Sequence, residues 1–322
     1  MSTLTVPQPL PTPEEDCHKL YKAFKGWGTD EKAIIEILGR RSAVQRREIR
    51  EVYARLFPKS LIDSLHSELS GDFRRAVILW VQDPAERDAT LAHEALKKKG
   101  YRHASIIVEI ACASSPDHLI AVRQAYCFLY YSSLEEDIIN YYSRHPFLTQ
   151  LLVRLVSSYR YDGMYVNENL VDTDAAELYN AIKLWQQEPP TGLVNILSTR
   201  SFHHLKESFH CYQKTNGKSF YEDVESNKSY DNELKSILIT VVCCIESPEK
   251  HFAEVVRTSV VSLGTDEDSL TRAIVTRAEI DMKNIKEEYM IRYKTTVNAD
   301  IIGDTSGDYK NFLLTLVGSA EP

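Results

Sequence analysis

The chain predicts an all-α protein of four packed repeats of about 70 residues, and two observations carry that reading. The first is an internal register. Arg41, Ser114, Arg200 and Arg277 each follow an apolar segment (34–38, 106–110, 193–197 and 273–275), and twelve residues beyond each anchor stands a tyrosine: Tyr53, Tyr126, Tyr212 and Tyr289. Twenty positions beyond the anchors come Leu61, Leu134, Phe220 and Val297; at twenty-four come Leu65, Ile138, Val224 and Ile301. Agreement at several offsets marks one supersecondary unit used repeatedly. The second observation is the period within a unit. Ile49, Val52, Tyr53 and Leu56 fall at i, i+3, i+4 and i+7, opposite Arg46, Arg47 and Arg50, as on an amphipathic helix, and no segment alternates as a strand would.

The elements follow in order. Residues 1–13 carry Pro7, Pro9, Pro11 and Pro13 and no apolar run of the kind a secretory leader has, so an extended tail and a cytoplasmic protein are expected. The first repeat spans 14–85 and the second 86–158, with breakers at Ser70-Gly71-Asp72, Asp83-Pro84 and Ser115-Pro116 leaving room for several short helices. The anchors are 73, 86 and 77 residues apart, so the third repeat, within 159–247, follows an expanded connection. That connection contains Asp162-Gly163 and ends in Pro189-Pro190, and is expected to divide the chain into two halves. The fourth repeat and C-terminus, 248–322, begin after Ser247-Pro248.

Composition narrows the function. Of 322 residues 43% are apolar, and the longest apolar stretch, Ile237 to Ile245, is far short of the roughly 20 residues a spanning helix needs. A net charge of −8 and a pI near 5.7 repel nucleic acid, so no nucleic-acid partner is expected, and an anionic surface could be met only through a cation. Six cysteines lie in apolar helical stretches without a metal-ligand spacing and suit core packing in a reducing compartment.

Two strings supply that cation. Gly26-Trp27-Gly28-Thr29-Asp30-Glu31 stands 42 residues before Glu68, and Ser262-Leu263-Gly264-Thr265-Asp266-Glu267 stands the same distance before Asp304. A sharp glycine loop turns backbone carbonyls toward one point, and a returning carboxylate completes an oxygen cage for a hard cation such as Ca²⁺. In the register, the place of Gly28 and Gly264 is taken by Tyr101 and Gln187, and the acid's place by Tyr141 and Asn227, so loop and acid read as kept together or lost together. A Gly-Thr-Asp-Glu run is also an ordinary helix start with threonine as N-cap; the paired acid favours ligation.

With these motifs the chain resembles the annexins, specifically those of plants, from about Glu14 to Gly318. Thr276-Arg277-Ala278-Glu279-Ile280-Asp281 and Asp304-Thr305-Ser306-Gly307-Asp308-Tyr309 also resemble the family's fourth repeat. The resemblance implies five short helices per repeat in a curved disc, and calcium-dependent, reversible binding to anionic phospholipid membranes. It implies ligation by the carbonyls of Phe24, Gly26 and Gly28 with Glu68, and by those of Val260, Ser262 and Gly264 with Asp304. Trp27 and Leu263, at the loop tips, are expected to touch the membrane. Ser262 departs from the family's loop glycine and Asp304 is a methylene shorter than Glu68, so the fourth site is expected to be weaker. Self-association on membranes and any actin role stay open.

An enzyme is not expected. The histidine of the family's proposed peroxidase activity has no counterpart at Gly39-Arg40-Arg41, no phosphate-binding glycine loop is present, and the adjacent His203 and His204 read as surface residues. Cys112 and Cys244 match positions that are cysteine in plant relatives, which raises a redox role, with buried inert thiols as the plainer reading. The runner-up function is a calcium-permeable conductance lined by charges at repeat junctions such as Asp88, Glu109, Arg257 and Arg272.

Overall fold

Serine, threonine, aspartate and proline set the helix starts. Thr12 begins α1 (Pro13–Ala23) with a capping box, its hydroxyl accepting from the Glu15 N–H while the Glu15 carboxylate accepts from the Thr12 N–H. The first repeat continues with α2 (Glu31–Leu38), α3 (Ala43–Leu56), α4 (Leu61–Glu68) and α5 (Gly71–Val81). The second holds α6 (Pro84–Lys98), α7 (Tyr101–Cys112), α8 (Pro116–Tyr130), α9 (Leu134–Tyr142) and α10 (Pro146–Ser157). The third holds α11 (Glu168–Leu184), α12 (Thr191–Thr199), α13 (Phe202–Asn216), α14 (Phe220–Ser226) and α15 (Asn232–Glu246). The fourth holds α16 (Pro248–Val261), α17 (Glu267–Arg277), α18 (Met282–Tyr293), α19 (Val297–Asp304) and α20 (Gly307–Val317). This computed structural model describes residues 1–25, 28–98, 100–184, 191–228, 232–261 and 264–319, and among them there is no strand. The breakers at 70–72, 83–84, 115–116 and 247–248 all start helices, and proline at the first helical position loses no bond, because that N–H has no acceptor within the helix.

The repeated tyrosines anchor each repeat. All four are buried, and each hydroxyl bonds a residue eleven positions on: Tyr126 to Asp137 at 2.6 Å, Tyr212 to Asp223 at 2.7 Å, Tyr289 to Asp300 at 2.5 Å, and Tyr53 to Ser64 at 3.3 Å. The residues twenty and twenty-four beyond the anchors are buried in every repeat. The buried hydroxyl thus ties the third helix of a repeat to the fourth.

A second polar set joins the first helix to the loop before the third helix and to the third helix itself. Arg41 makes a two-pronged contact with Asp16 at 2.7 and 2.8 Å, and Arg200 does the same with Asp174 at 2.6 and 3.0 Å. His204, expected at the surface, is buried and donates to the same Asp174 at 2.8 Å; His118 meets Asp88 likewise at 2.7 Å. The fourth repeat exchanges the pair. Its carboxylate, Asp281, sits on the loop just before α18 in the place of His118 and His204 and accepts from Arg277, while Phe252 takes the acid's place on α16, its ring under the Arg277 guanidinium at 4.6 Å, next to His251. Burial, and then the neighbouring Arg277 charge, lower the His251 pKa from 6.5 to about 4.

The chain forms two compact units, but not the two halves expected. The first comprises Met1–Arg87 with Glu249–Pro322, the second Asp88–Pro248, so the first repeat joins the fourth and the second joins the third. In the first unit Glu279 accepts from the Ala43 N–H and from Arg46, Arg75 pairs with Asp268 at 2.7 Å, and Arg87 donates to the Val275 carbonyl. Gly39 lies so close to Thr315 that a Cβ would come within 2.9 Å of its methyl, which lets α2 and α20 approach. Arg46, expected on the solvent face, is buried over the Trp80 ring at 3.6 Å, while Leu56, expected inside, is exposed. The tail is fastened to this unit as well: Thr3 bonds the Ala278 and Leu316 carbonyls. In the second unit α7 packs along α15, and Arg160 of the connection caps the end of α12, donating to the Leu197 and Arg200 carbonyls. The connection folds onto its own unit instead of separating two.

Two predictions follow from the polar core. Tyr126→Phe removes a bond to a carboxylate and should cost about 2 kcal/mol of unfolding free energy in urea, against about 1 kcal/mol for Tyr53→Phe, whose partner is a hydroxyl. Because the folded pKa of His251 lies below its unfolded value, neutral His251 contributes stability that is present above pH ~6.5 and is lost as pH falls toward 4. Urea midpoints measured from pH 7 to 4 should therefore fall more steeply for wild type than for His251→Gln.

Candidate metal-binding site

The two loops singled out in the sequence are closed in the same way. Helix α1 ends at Ala23 with Phe24 as its C-cap, and the Asp30 N–H returns to the Ala23 carbonyl at 3.0 Å. In the fourth repeat the Asp266 N–H returns to the Ser259 carbonyl at 2.8 Å. Gly28 and Gly264 have φ of +93° and +89°, a region that side-chain-bearing residues rarely adopt. Val260 is buried in the last turn of α16; Gly26, Trp27, Ser262 and Leu263 lie outside the described residues.

The N-caps of α2 and α17 are Asp30 and Asp266, which accept from the Ala33 and Ser269 N–H groups, and not the threonines before them. That leaves the threonine hydroxyls free to face the acids. Thr265 Oγ1 is 2.7 Å from Asp304 Oδ2, and Thr29 Oγ1 is 3.4 Å from Glu68 Oε2. Glu68 and Asp304 are the last residues of α4 and α19. Each loop is thus brought to its own carboxylate, and the donor set is all oxygen, as Ca²⁺ prefers. Among the described residues no three His, Cys, Asp or Glu side chains cluster as metal ligands, and each loop is faced by one carboxylate. The threonine's part was not read from the sequence, although its presence in both strings was the available signal.

The other two repeats differ from the expected pattern. Gly100, one residue before the place assigned by the register, has φ of +86°, so the second repeat keeps the left-handed glycine while lacking the acid. What it lacks is the two-residue run between glycine and helix: Gly100 is itself the N-cap of α7. Loop and acid were therefore not lost as one. Gln187 lies outside the described residues.

A cleft of about 280 Å³ adjoins the first site, lined by Glu31, Glu68 and Asp72 of the first repeat and by Asp308 and Tyr309 of the fourth. Its walls carry Ser70 and Asp72, read in the sequence as a helix boundary, and Ser306 and Asp308, read there only as part of a run resembling the family's fourth repeat. The remaining candidates are held by their surroundings. Cys112 and Cys244 are buried, and burial pushes the Cys112 thiol up to about 11, away from the reactive thiolate; Cys127, expected in the core, is exposed. Arg257 pairs with Asp300 and Asp88 with His118, each pair inside one repeat, while Glu109 and Arg272 are buried. No helix among the described residues is long and apolar enough to cross a membrane.

Known proteins match this chain over nearly its full length. The family model described as Annexin matches residues 15–80, 87–145, 173–241 and 251–316. Annexin D3 of Arabidopsis thaliana is 50% identical over 324 residues, covering 99% of each chain. Among solved structures, annexin III superposes with a TM-score of 0.91 at 30% identity, covering 99% of this chain and 98% of that one. A calcium-bound annexin (Sm)1 does so with a TM-score of 0.83 at 26% identity, covering 99% and 93%.

Nothing lies within 4 Å of where a Cβ would sit on Gly28, so Gly28→Ala should cost only the backbone term, about 1–2 kcal/mol. A melting curve by circular dichroism checks this; a stability equal to wild type would mean that the loop does not need the left-handed residue.

Proposed function

The chain belongs to the annexin family, which is known for calcium-dependent phospholipid binding, and from that premise we propose that it binds anionic membranes reversibly through Ca²⁺ at its first and fourth repeats. The observation that supports this most is the matched pair of loops, each closed by an aspartate N–H, turned by a left-handed glycine and faced by one carboxylate through a threonine. The carbonyls of Phe24, Gly26 and Gly28 with Glu68 would hold one ion, and those of Val260, Ser262 and Gly264 with Asp304 the other. Bound Ca²⁺ supplies the positive charge that an acidic protein lacks, and its open coordination positions take lipid phosphoryl oxygens.

The residues of the chain do the rest. Thr29 and Thr265 hold the carboxylates at the loops, and the glycines present the carbonyls. Trp27 and Leu263 at the loop tips enter the headgroup layer, tryptophan by its preference for that boundary. Both sites belong to the same compact unit, so two weak contacts act together. The protein resides in the cytoplasm and meets membranes when calcium rises; no catalytic residue is assigned to it.

Liposome co-sedimentation across calcium concentrations tests the proposal, using vesicles of phosphatidylserine and phosphatidylcholine. Glu68→Gln should raise the calcium needed for half-binding about tenfold, a loss near 1.4 kcal/mol, and Asp304→Asn should raise it less, since the fourth site is the weaker. The double variant should stay in the supernatant. Full calcium-dependent sedimentation of the double variant would remove the proposal.

A further inference from the structure

Asn227 occupies in the third repeat the place of Glu68 and Asp304, following the buried Tyr212–Asp223 bond by one helical turn. Helix α11 runs in the register of α1: Asp174 and Tyr179 take the places of Asp16 and Tyr21, which puts Ile182 in the place of Phe24. Asn227 Nδ2 donates to the Ile182 carbonyl at 3.2 Å. A carboxylate and a carbonyl are both acceptors, and only a shared cation or donor draws them together; an amide facing a carbonyl needs neither.

The second repeat arrives at the same result with different residues. His93 takes the place of Tyr21 on α6, so Gly100 takes that of Gly28, in agreement with its φ of +86°. The Gly100 carbonyl accepts from the His103 and Ala104 N–H groups at 3.1 Å each, and the Tyr142 hydroxyl donates to it at 3.3 Å. Tyr142 is only 3% exposed. Burial pushes its hydroxyl up to about 12, so it remains a donor at any physiological pH.

We propose that Tyr142 and Asn227 determine which repeats take calcium: in the second and third they are built-in hydrogen-bond donors standing where the first and fourth hold an ion. The proposal rests on the reading of the first and fourth repeats given above. The carbonyls of Gly100 and Ile182 are satisfied by the protein itself, so these two repeats are closed with or without calcium, and the ion orders the first and fourth alone. In the third repeat the position of the acid is thereby not merely vacated but refilled by a donor, and in the second the donor stands one residue beyond that position.

Amide hydrogen exchange read by mass spectrometry on the full chain, with and without calcium chloride and phosphatidylserine vesicles, tests this. In wild type, calcium with vesicles should slow exchange in segments 28–34 and 264–270 and leave 100–106 and 178–184 unchanged. Without calcium, Tyr142→Phe should speed exchange in 100–106 roughly fivefold, as expected for the loss of one hydrogen bond. Asn227→Leu should do the same in 178–184, and Asn227→Asp, which substitutes an acceptor, should do so at least as much. Equal exchange in the calcium-free variants and wild type would overturn the proposal, as would slowing by calcium at 100–106 or 178–184 as large as at 28–34. Should Tyr142→Phe fail to fold by circular dichroism, the Asn227 variants decide. Failure of calcium to change 28–34 and 264–270 would overturn the assignment of the ion to those loops, and is read separately from the calcium-free comparison.

Discussion

The buried tyrosine hydroxyl is the constraint on which the rest of each repeat depends. A phenol in an apolar core needs a hydrogen-bond partner, and here it finds one on the fourth helix, a carboxylate in three repeats and Ser64 in the first. One helical turn further along that helix stand Glu68, Tyr141, Asn227 and Asp304, so the bond that satisfies the core also sets where the site residue emerges. The short fourth helix has little propensity to stand alone, and this bond and its buried apolar face hold it in place. The candidate site residue therefore stands at a position whose backbone is fixed for reasons of packing and whose side chain differs from repeat to repeat.

Under the function proposed above, that separation lets one scaffold carry both receptive and refractory loops. The first and fourth repeats place an acceptor at the position; the third places a donor, and the second closes its glycine onto a helix start and a tyrosine. The same freedom appears in the polar set beneath. Asp174 serves both Arg200 and His204, and in the fourth repeat the carboxylate has moved to the place of that histidine, four residues beyond its arginine, with Phe252 standing where the acid was. Each exchange keeps the buried charge paired, which matters because an unpaired one costs several kcal/mol.

Much of the architecture was legible as pattern. Repeat register, helical period, the breakers and the two loops with their distant acids can all be read from residue types at fixed offsets. The readings that failed share a cause. Arg46 has a charged head and was placed in solvent, but its planar guanidinium lies over Trp80 and reaches Glu279, a partner supplied by the fourth repeat. His204 reads as a surface residue because no metal-ligand spacing accompanies it; its partner Asp174 comes from another helix thirty residues away. Gly100 was displaced by one because the register was carried from the anchors after the loop, whereas the first helix of the repeat sets the loop's position.

What the sequence determined by itself is the all-α repeat, its four copies, and the pairing of a glycine loop with one acid at each end of the chain, because these are periodicities and fixed spacings along one dimension. Tertiary structure alone decided that the first and fourth repeats share a unit, since their contacts at Glu279, Asp268 and Thr315 join residues more than 190 positions apart. It alone decided the tasks of Thr29 and Thr265, whose hydroxyls are released to the acids by the aspartate that caps the helix in their place. And it alone set a donor against a carbonyl in each middle repeat, Asn227 on Ile182 and Tyr142 on Gly100, because whether a side chain gives or receives a hydrogen bond depends on what faces it across the fold.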